Sequence, residues 1–182
     1  NPGVGMCYGR AKVWNENKQK YEKKSLGSDV FDFENLLKNG CRIPALTVCF
    51  RSELVNKYIS EIKPQEKDWL MEDFPMWLYF SHKSKIEFID EESAVYRVLD
   101  NSASHSVDID KELSFRKSIY NVREFFSKKY GIDIEDRDNA KELFYVLYRK
   151  CINNISKESL FDLKKVYMEI KNKSKKEVII FF

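Results

Sequence analysis

The stretch WLMEDFPMWLYF, residues 69 to 80, sets two carboxylates, Glu72 and Asp73, inside a run that is otherwise apolar and carries a proline. A carboxylate ringed by aromatic residues at the head of a helix is rigidly held and partly dry. There it can take a proton from a hydroxyl as that hydroxyl attacks, a role that contributes ~10²–10⁴ in rate. The competing reading is a helix cap. Acids just before Pro75 satisfy free N–H groups and meet the positive end of the helix dipole.

The elements that must position these acids follow from periodicity. VGMCYGRAKVW (4 to 14) alternates apolar and polar residues and predicts a strand. Residues 15 to 28 read as an exposed loop. DVFDFENLLKNG (29 to 40) predicts an acid-led helix closed by Gly40. IPALTVCF (43 to 50) predicts a second strand, and SELVNKYISEI (52 to 62) a helix capped by Ser52 and ended by Pro64. The acidic stretch then leads from a loop into a helix. Pro75 falls in its first turn, where a missing N–H costs nothing. KIEFID (85 to 90) and SAVYRVL (93 to 99) predict two strands joined by a short acidic turn. Helices are expected over 108 to 131, stopped by Gly131, and over 136 to 155 and 156 to 176, the last capped by Ser156. The fold class is mixed α/β with a helical tail. Four short strands make a thin sheet with exposed edges. Together with a first residue, Asn1, that is not Met, this predicts further chain on the N-terminal side.

Composition narrows the function classes. The 182 residues are 43% hydrophobic and 14% aromatic, enough for one domain with a core and unlike a disordered chain. A net charge of +3, from 32 basic and 29 acidic side chains, is too small for a nucleic-acid footprint. Cys7, Cys41, Cys49 and Cys151 form no C-x-x-C pair, so zinc and thioredoxin-like readings lack support. They read as reduced core cysteines of a cytosolic protein. The sequence carries no signal peptide, and its terminal apolar run VIIFF (178 to 182) is too short to span a bilayer.

RIPALTVCFRSELV, DWLMEDFPMWLYFSHKSKIEFIDEESAVYRVLDNSASHS and the helix ending REFFSKKYGI occur in this order. Together they resemble the C-terminal half of family 2 nucleotide-sugar glycosyltransferases of GT-A fold, in the manner of bacterial enzymes that build surface polysaccharides. The resemblance covers about residues 3 to 131. It implies that residues 1 to 107 are the acceptor-side half of a GT-A-like domain, with 108 to 182 a helical region packed on it. It places Asp73 at the position of the catalytic base and Glu72 at the acid before it, in an inverting displacement at the anomeric carbon. Arg97 and His105, in YRVLDNSASHS, would face the leaving diphosphate, His105 as donor to a phosphate oxygen or as metal ligand. Their plainer readings are an arginine paired to Glu91 or Glu92 and an exposed loop histidine; Ser102, Ser104 and Ser106 would shape the turn. Trp69, Thr47 and Arg51 would lie on the acceptor side, the plainer reading of the last two being a strand threonine and a surface arginine, whereas Trp77 reads as core. Similar sequences often carry an acid where this one has Arg10.

The resemblance further implies a nucleotide sugar, a glycan or lipid-linked acceptor, Mg²⁺ or Mn²⁺ in the full-length enzyme, and a cytoplasmic place near the inner membrane face. The family's metal-binding D-x-D follows a buried strand. The two such strings here, Asp108–Asp110 and Asp136–Asp138, stand before helices as caps, and the sequence has no Gly-rich phosphate loop. The chain alone is therefore expected to hold no cofactor tightly and to be inactive. The rival expectation is a non-catalytic interaction module. It would dimerise through an exposed sheet edge or through tail helices presenting Phe144, Leu147, Leu160, Leu163 and Tyr167.

Overall fold

The computed structural model describes residues 2–30, 32–99, 101–102, 105–106, 109–134, 137–153, 155–170, 173–176 and 178. It has the expected mixed α/β architecture. The sheet is built on two long strands, β1 (Val4–Asn15) and β4 (Lys85–Val98), which run parallel from Val4↔Lys85 to Asn15↔Val98. A parallel pair needs a crossover. Here it holds α1 (Phe33–Asn39), α2 (Ser52–Ile62) and α3 (Asp73–Lys83). The opposite edge of β1 is shared by two short antiparallel strands, β2 (Lys20–Tyr21) near its end and β3 (Cys49–Phe50) near its start. Among the described residues no strand pairs with the outer edge of β4.

Four sequence expectations need correction. The two strands at 85–90 and 93–99 are one strand, because the acids between them face cations. Asp90 pairs with Arg10, and Glu92 Oε2 lies 3.4 Å from Lys12 Nζ, so the turn-like acids are carried on the strand surface. Most of IPALTVCF is not a strand. Residues Ala45–Thr47 form a turn of 3₁₀ helix and only Cys49 and Phe50 pair with β1. Loop 15–28 is partly a hairpin arm: β2 pairs with β1, and Leu26 bridges Ala11. Ser52 is already the first residue of α2, and Arg51 holds the cap position without a side-chain cap bond. Elsewhere local chemistry behaves as read. Asp32 Oδ1 caps α1 by accepting from Asn35 N at 2.8 Å, and Gly40 closes that helix at φ +79.

The main core packs β1 against α1, α2 and α3. Met6, Tyr8, Leu36, Leu37, Tyr58 and Ile62 meet Phe74, Trp77, Leu78, Tyr79 and Phe80. α3 is apolar around most of its circumference, and such a helix belongs in the interior. Tyr8 pins the chain that follows β2: its hydroxyl donates to Ser28 O (2.8 Å) and accepts from Val30 N (2.9 Å).

The long helix α4 (Ile109–Tyr130) serves two cores. Val122 and Phe126 join the first, and Leu113 joins a second built with α5 (Arg137–Asn153) and α6 (Lys157–Glu169). Ser156 caps α6 in a reciprocal box with Ser159. Phe144, Leu147, Leu163 and Tyr167 are consumed inside this second core. Of the set expected to form a docking surface, only Leu160 is exposed, and the outward apolar residues are Ile152, Ile155, Phe161 and Met168. Asp108 and Asp136 lie outside the described residues, as does the side chain of Asp138.

Candidate functional site

Asp73 is the first residue of α3 and is half-buried. Its Oδ1 accepts from the N–H of Phe74 at 2.7 Å, which satisfies one of the free donors of the first turn. Among the described residues it forms no ion pair. Pro75 follows within the first turn, so its missing N–H leaves no gap in the hydrogen bonding. Behind the carboxylate, Phe74, Trp77 and Leu78 are buried and fix the helix. Glu72 occupies the cap position but makes no side-chain cap bond, and is exposed.

Two cavities meet at Asp73. The first, about 720 Å³, runs between the 25–28 loop, residues 41–46 and the end of β4. Its polar residues include Arg42, Tyr96 and Arg97. The second, about 600 Å³, lies between the end of α1, the α4 face and α5. Asp73 and Cys41 line both. Cys41 is exposed as a residue, but desolvation of its thiol by the surrounding cavity walls, with the Asp73 carboxylate adding to the rise, raises its pKa to about 12. The thiol donates to Ile43 O at 3.6 Å and is not a ready nucleophile.

The lip of the first cavity is set by backbone. Gly27 has φ +95, and a Cβ there would stand 2.8 Å from Gly9 O, so a side chain meets both strain and collision. Arg10 supports the same lip: it donates to Gly27 O at 3.0 Å, pairs with Asp90 and lies over the Phe88 ring. Its charge is spent on structure.

The expected site residues separate. Arg97 shares the first cavity with Asp73; its Nε lies 3.3 Å from Glu16 Oε2, not on Glu91 or Glu92, and its side chain is 63% exposed. His105 belongs to a two-strand hairpin, β5 (Asn101–Ser102) with β6 (His105–Ser106), in which Ser102 pairs with His105. The side chains of Ser102, His105 and Ser106, and the whole of Ser104, lie outside the described residues. Glu72 and Trp69 line a third cavity of about 540 Å³, away from Arg97. Trp69 stacks on Phe126 at 6.2 Å and meets Phe125 edge-on at 5.3 Å. Trp77 is buried, as read.

Thr47 and Arg51 hold β3 to β1. The Thr47 hydroxyl accepts from Gly9 N at 3.2 Å, continuing the ladder where the 3₁₀ turn leaves it. Arg51 donates from Nε to Val4 O at 2.8 Å and from its backbone N to Gly5 O at 2.9 Å. Neither lines the Asp73 cavities. Cys41, Arg42 and Tyr96 were not singled out in the sequence. Cys41 and Arg42 stand about thirty positions from Asp73 without a motif linking them.

Among the described residues no group of three or more His, Cys, Asp or Glu can hold a metal ion. Among the described residues Asp73 is the sole acid lining its two cavities. The donors around it among the described residues are fewer than the several oxygens through which Mg²⁺ or Mn²⁺ binds. No helix of the described residues is long and apolar enough to cross a membrane. The chain matches no protein-family model, no curated protein and no solved structure.

Proposed function

We propose that this chain supplies the acceptor side of a glycosyltransferase that moves a sugar from a nucleotide-sugar donor to a glycan or lipid-linked acceptor, with inversion. One observation carries the reading: Asp73, a carboxylate that forms no ion pair among the described residues, sits at the head of a buried helix and opens on a cleft that also holds Arg42 and Arg97. The acceptor hydroxyl gives its proton to Asp73 as its oxygen attacks the anomeric carbon. The bond from that carbon to the phosphate oxygen breaks, and the nucleoside diphosphate leaves with the electron pair. Arg97 and Arg42 face the charge that develops on the departing oxygens. Glu72, on another cavity, does not share the proton transfer. The metal that such chemistry uses elsewhere, and the nucleotide, need a further half of the protein, so the chain alone does not turn over. Its substrates place it in the cytoplasm at the inner membrane face.

The test uses the full-length protein with uridine- and guanosine-diphosphate sugars. Product of inverted anomeric configuration is expected, and its loss in Asp73→Asn with an unchanged melting curve. A wild-type rate in that variant removes the general-base assignment. A second reading, an interaction module, draws on the exposed Ile155, Phe161 and Met168 of the tail. It predicts self-association that Phe161→Ser with Met168→Ser abolishes, and no transfer by any form of the protein.

A further inference from the structure

Two thiols that the proposed site does not use are brought together by the sheet. Cys7 on β1 and Cys49 on β3 stand directly opposite each other on antiparallel strands. β1 sends Met6 and Tyr8 into the core, so Cys7 between them faces the other side of the sheet. Cys7 is half-buried there and Cys49 is exposed, so neither belongs to the core. An open hollow of about 330 Å³ lies beside them, lined in part by Gly5, Phe50 and Glu87. The other two cysteines are elsewhere: Cys41 faces the Asp73 cavities, and Cys151 is buried in the second core.

The ladder sets the spacing of the pair. Two positions along, Arg51 N donates to Gly5 O at 2.9 Å, which marks a hydrogen-bonded pair. By alternation Cys7 and Cys49 form another, with Cα atoms ~5.5 Å and Cβ atoms ~4.5–5.5 Å apart. A disulfide takes Cα separations of about 4.4–6.8 Å and Cβ separations of about 3.5–4.5 Å. A small closing movement therefore joins the sulfurs, and the tension it leaves makes the bond easy to reduce. The two side chains already interact. Desolvation first, then the Cys49 side chain and Glu87, raise the Cys7 thiol above its ordinary range. Among the described residues no third ligand joins them to make a metal site.

We propose that Cys7 and Cys49 form a reversible disulfide when the protein meets a hydroperoxide, locking β3 to β1. Cys49, the exposed thiol, reacts first, while Cys7 stays protonated and shielded. The Cys49 thiolate attacks one peroxide oxygen. The S–O bond forms, the O–O bond breaks, and the departing oxygen takes the proton that the thiol released. Cys7 then attacks the sulfenic sulfur. The S–S bond forms, the S–O bond breaks, and hydroxide leaves with the Cys7 proton as water. Two thiols are oxidised and one peroxide is reduced, to an alcohol or water. β3 is only two residues long and is otherwise held by Arg51 and the neighbouring Thr47, so a covalent tie there changes its hold on β1 most. A thiol reductant returns the pair to its open form. None of this depends on the glycosyltransferase reading.

The test exposes the reduced full chain to hydrogen peroxide at neutral pH, blocks the remaining thiols with a maleimide in acid denaturant, and maps tryptic peptides by mass spectrometry. Trypsin separates Cys7 (residues 1–10), Cys41 (39–42) and Cys49 (43–51). Peptide 1–10 joined to 43–51 is expected, released by dithiothreitol, with Cys41 and Cys151 blocked. The oxidised chain should melt several degrees above the reduced one, and dithiothreitol should remove the difference. In Cys7→Ser, dimedone should capture a sulfenic acid on Cys49; in Cys49→Ser, Cys7 should stay unlabelled. Recovery of Cys7 and Cys49 both blocked, with no joined peptide from the wild-type chain, overturns the pair. So does Cys49 joined instead to Cys41 or to a second copy, since it is then only a reactive surface thiol. Capture on Cys7 in Cys49→Ser overturns the order of the two steps, and a disulfide that leaves the melting temperature unchanged overturns the lock.

Discussion

The head of α3 and the middle of β4 both display acids, and they use them in opposite ways. On β4, Asp90 pairs with Arg10, while Glu92 lies near Lys12 and accepts from Ser25, all on an exposed strand surface. The pairing lowers both carboxyls from their ordinary range, led by Arg10 for Asp90 and by Ser25 for Glu92. At α3 the platform is apolar and buried, yet among the described residues Asp73 has only a backbone N–H for a partner, with two cavities in front of it. The acids of β4 are spent on neighbouring partners at an exposed surface. The acid left without one, on a fixed support, is available for chemistry.

The contrast can be broken most sharply by removing the unpaired acid, since Asp73→Asn is expected to lower transfer by ~10²–10⁴ in a full-length assay. Undermining its platform comes next. Leu78→Ala, at a fully buried position, should cost about 2–5 kcal/mol in urea unfolding and loosen the helix under the carboxylate. A stability loss below that range would mean α3 is not the rigid element described. Tyr8→Phe is smaller. It strips the acceptor from the buried Val30 N–H and should cost roughly 1–3 kcal/mol by the same method. The paired acids should matter least: Asp90→Asn is expected to leave both melting temperature and transfer rate within error, as exposed ion pairs do.

The far end of α3 offers a pH handle. His82 stacks on Tyr130 with ring centroids 3.6 Å apart, and burial first, then Lys83 and Lys129, lowers its pKa from the ordinary value. The unfolded chain therefore binds the proton more readily. The His82 contribution is fully present above the ordinary histidine range near 6.5 and is lost as pH falls through it. Melting curves from pH 8 to 5 should show a modest decline that His82→Gln flattens. A decline on raising the pH instead would reverse the sign of the shift.

Much of the fold could be read from local chemistry. α2 and α4 fall within a residue or so of their predicted spans, and Gly40, Gly131 and Ser156 punctuate as read, because caps and apolar stripes are written within one turn. The continuity of β4 could not be read, since the cations that make its acids tolerable sit on β1, some eighty positions earlier. The same limit governs the site. Asp73 was legible as an acid in an apolar run, and Arg97 as its neighbour in the cleft. Thr47 and Arg51, read either as acceptor-side residues or as a strand threonine and a surface arginine, tie β3 to β1 and do not line the Asp73 cavities, and the local sequence is the same in both cases. The second cavity beside Asp73 escaped notice entirely, being assembled from residues on α1, α4 and α5.

The measurement that bears most directly on the central claim is single-turnover transfer in the full-length protein, with Asp73→Asn and Asp90→Asn assayed side by side and both shown folded by circular dichroism. The account predicts a rate lost by ~10²–10⁴ in the first and unchanged in the second. Equal rates in the two variants would contradict it, because the unpaired carboxylate would then be no more than the start of a helix.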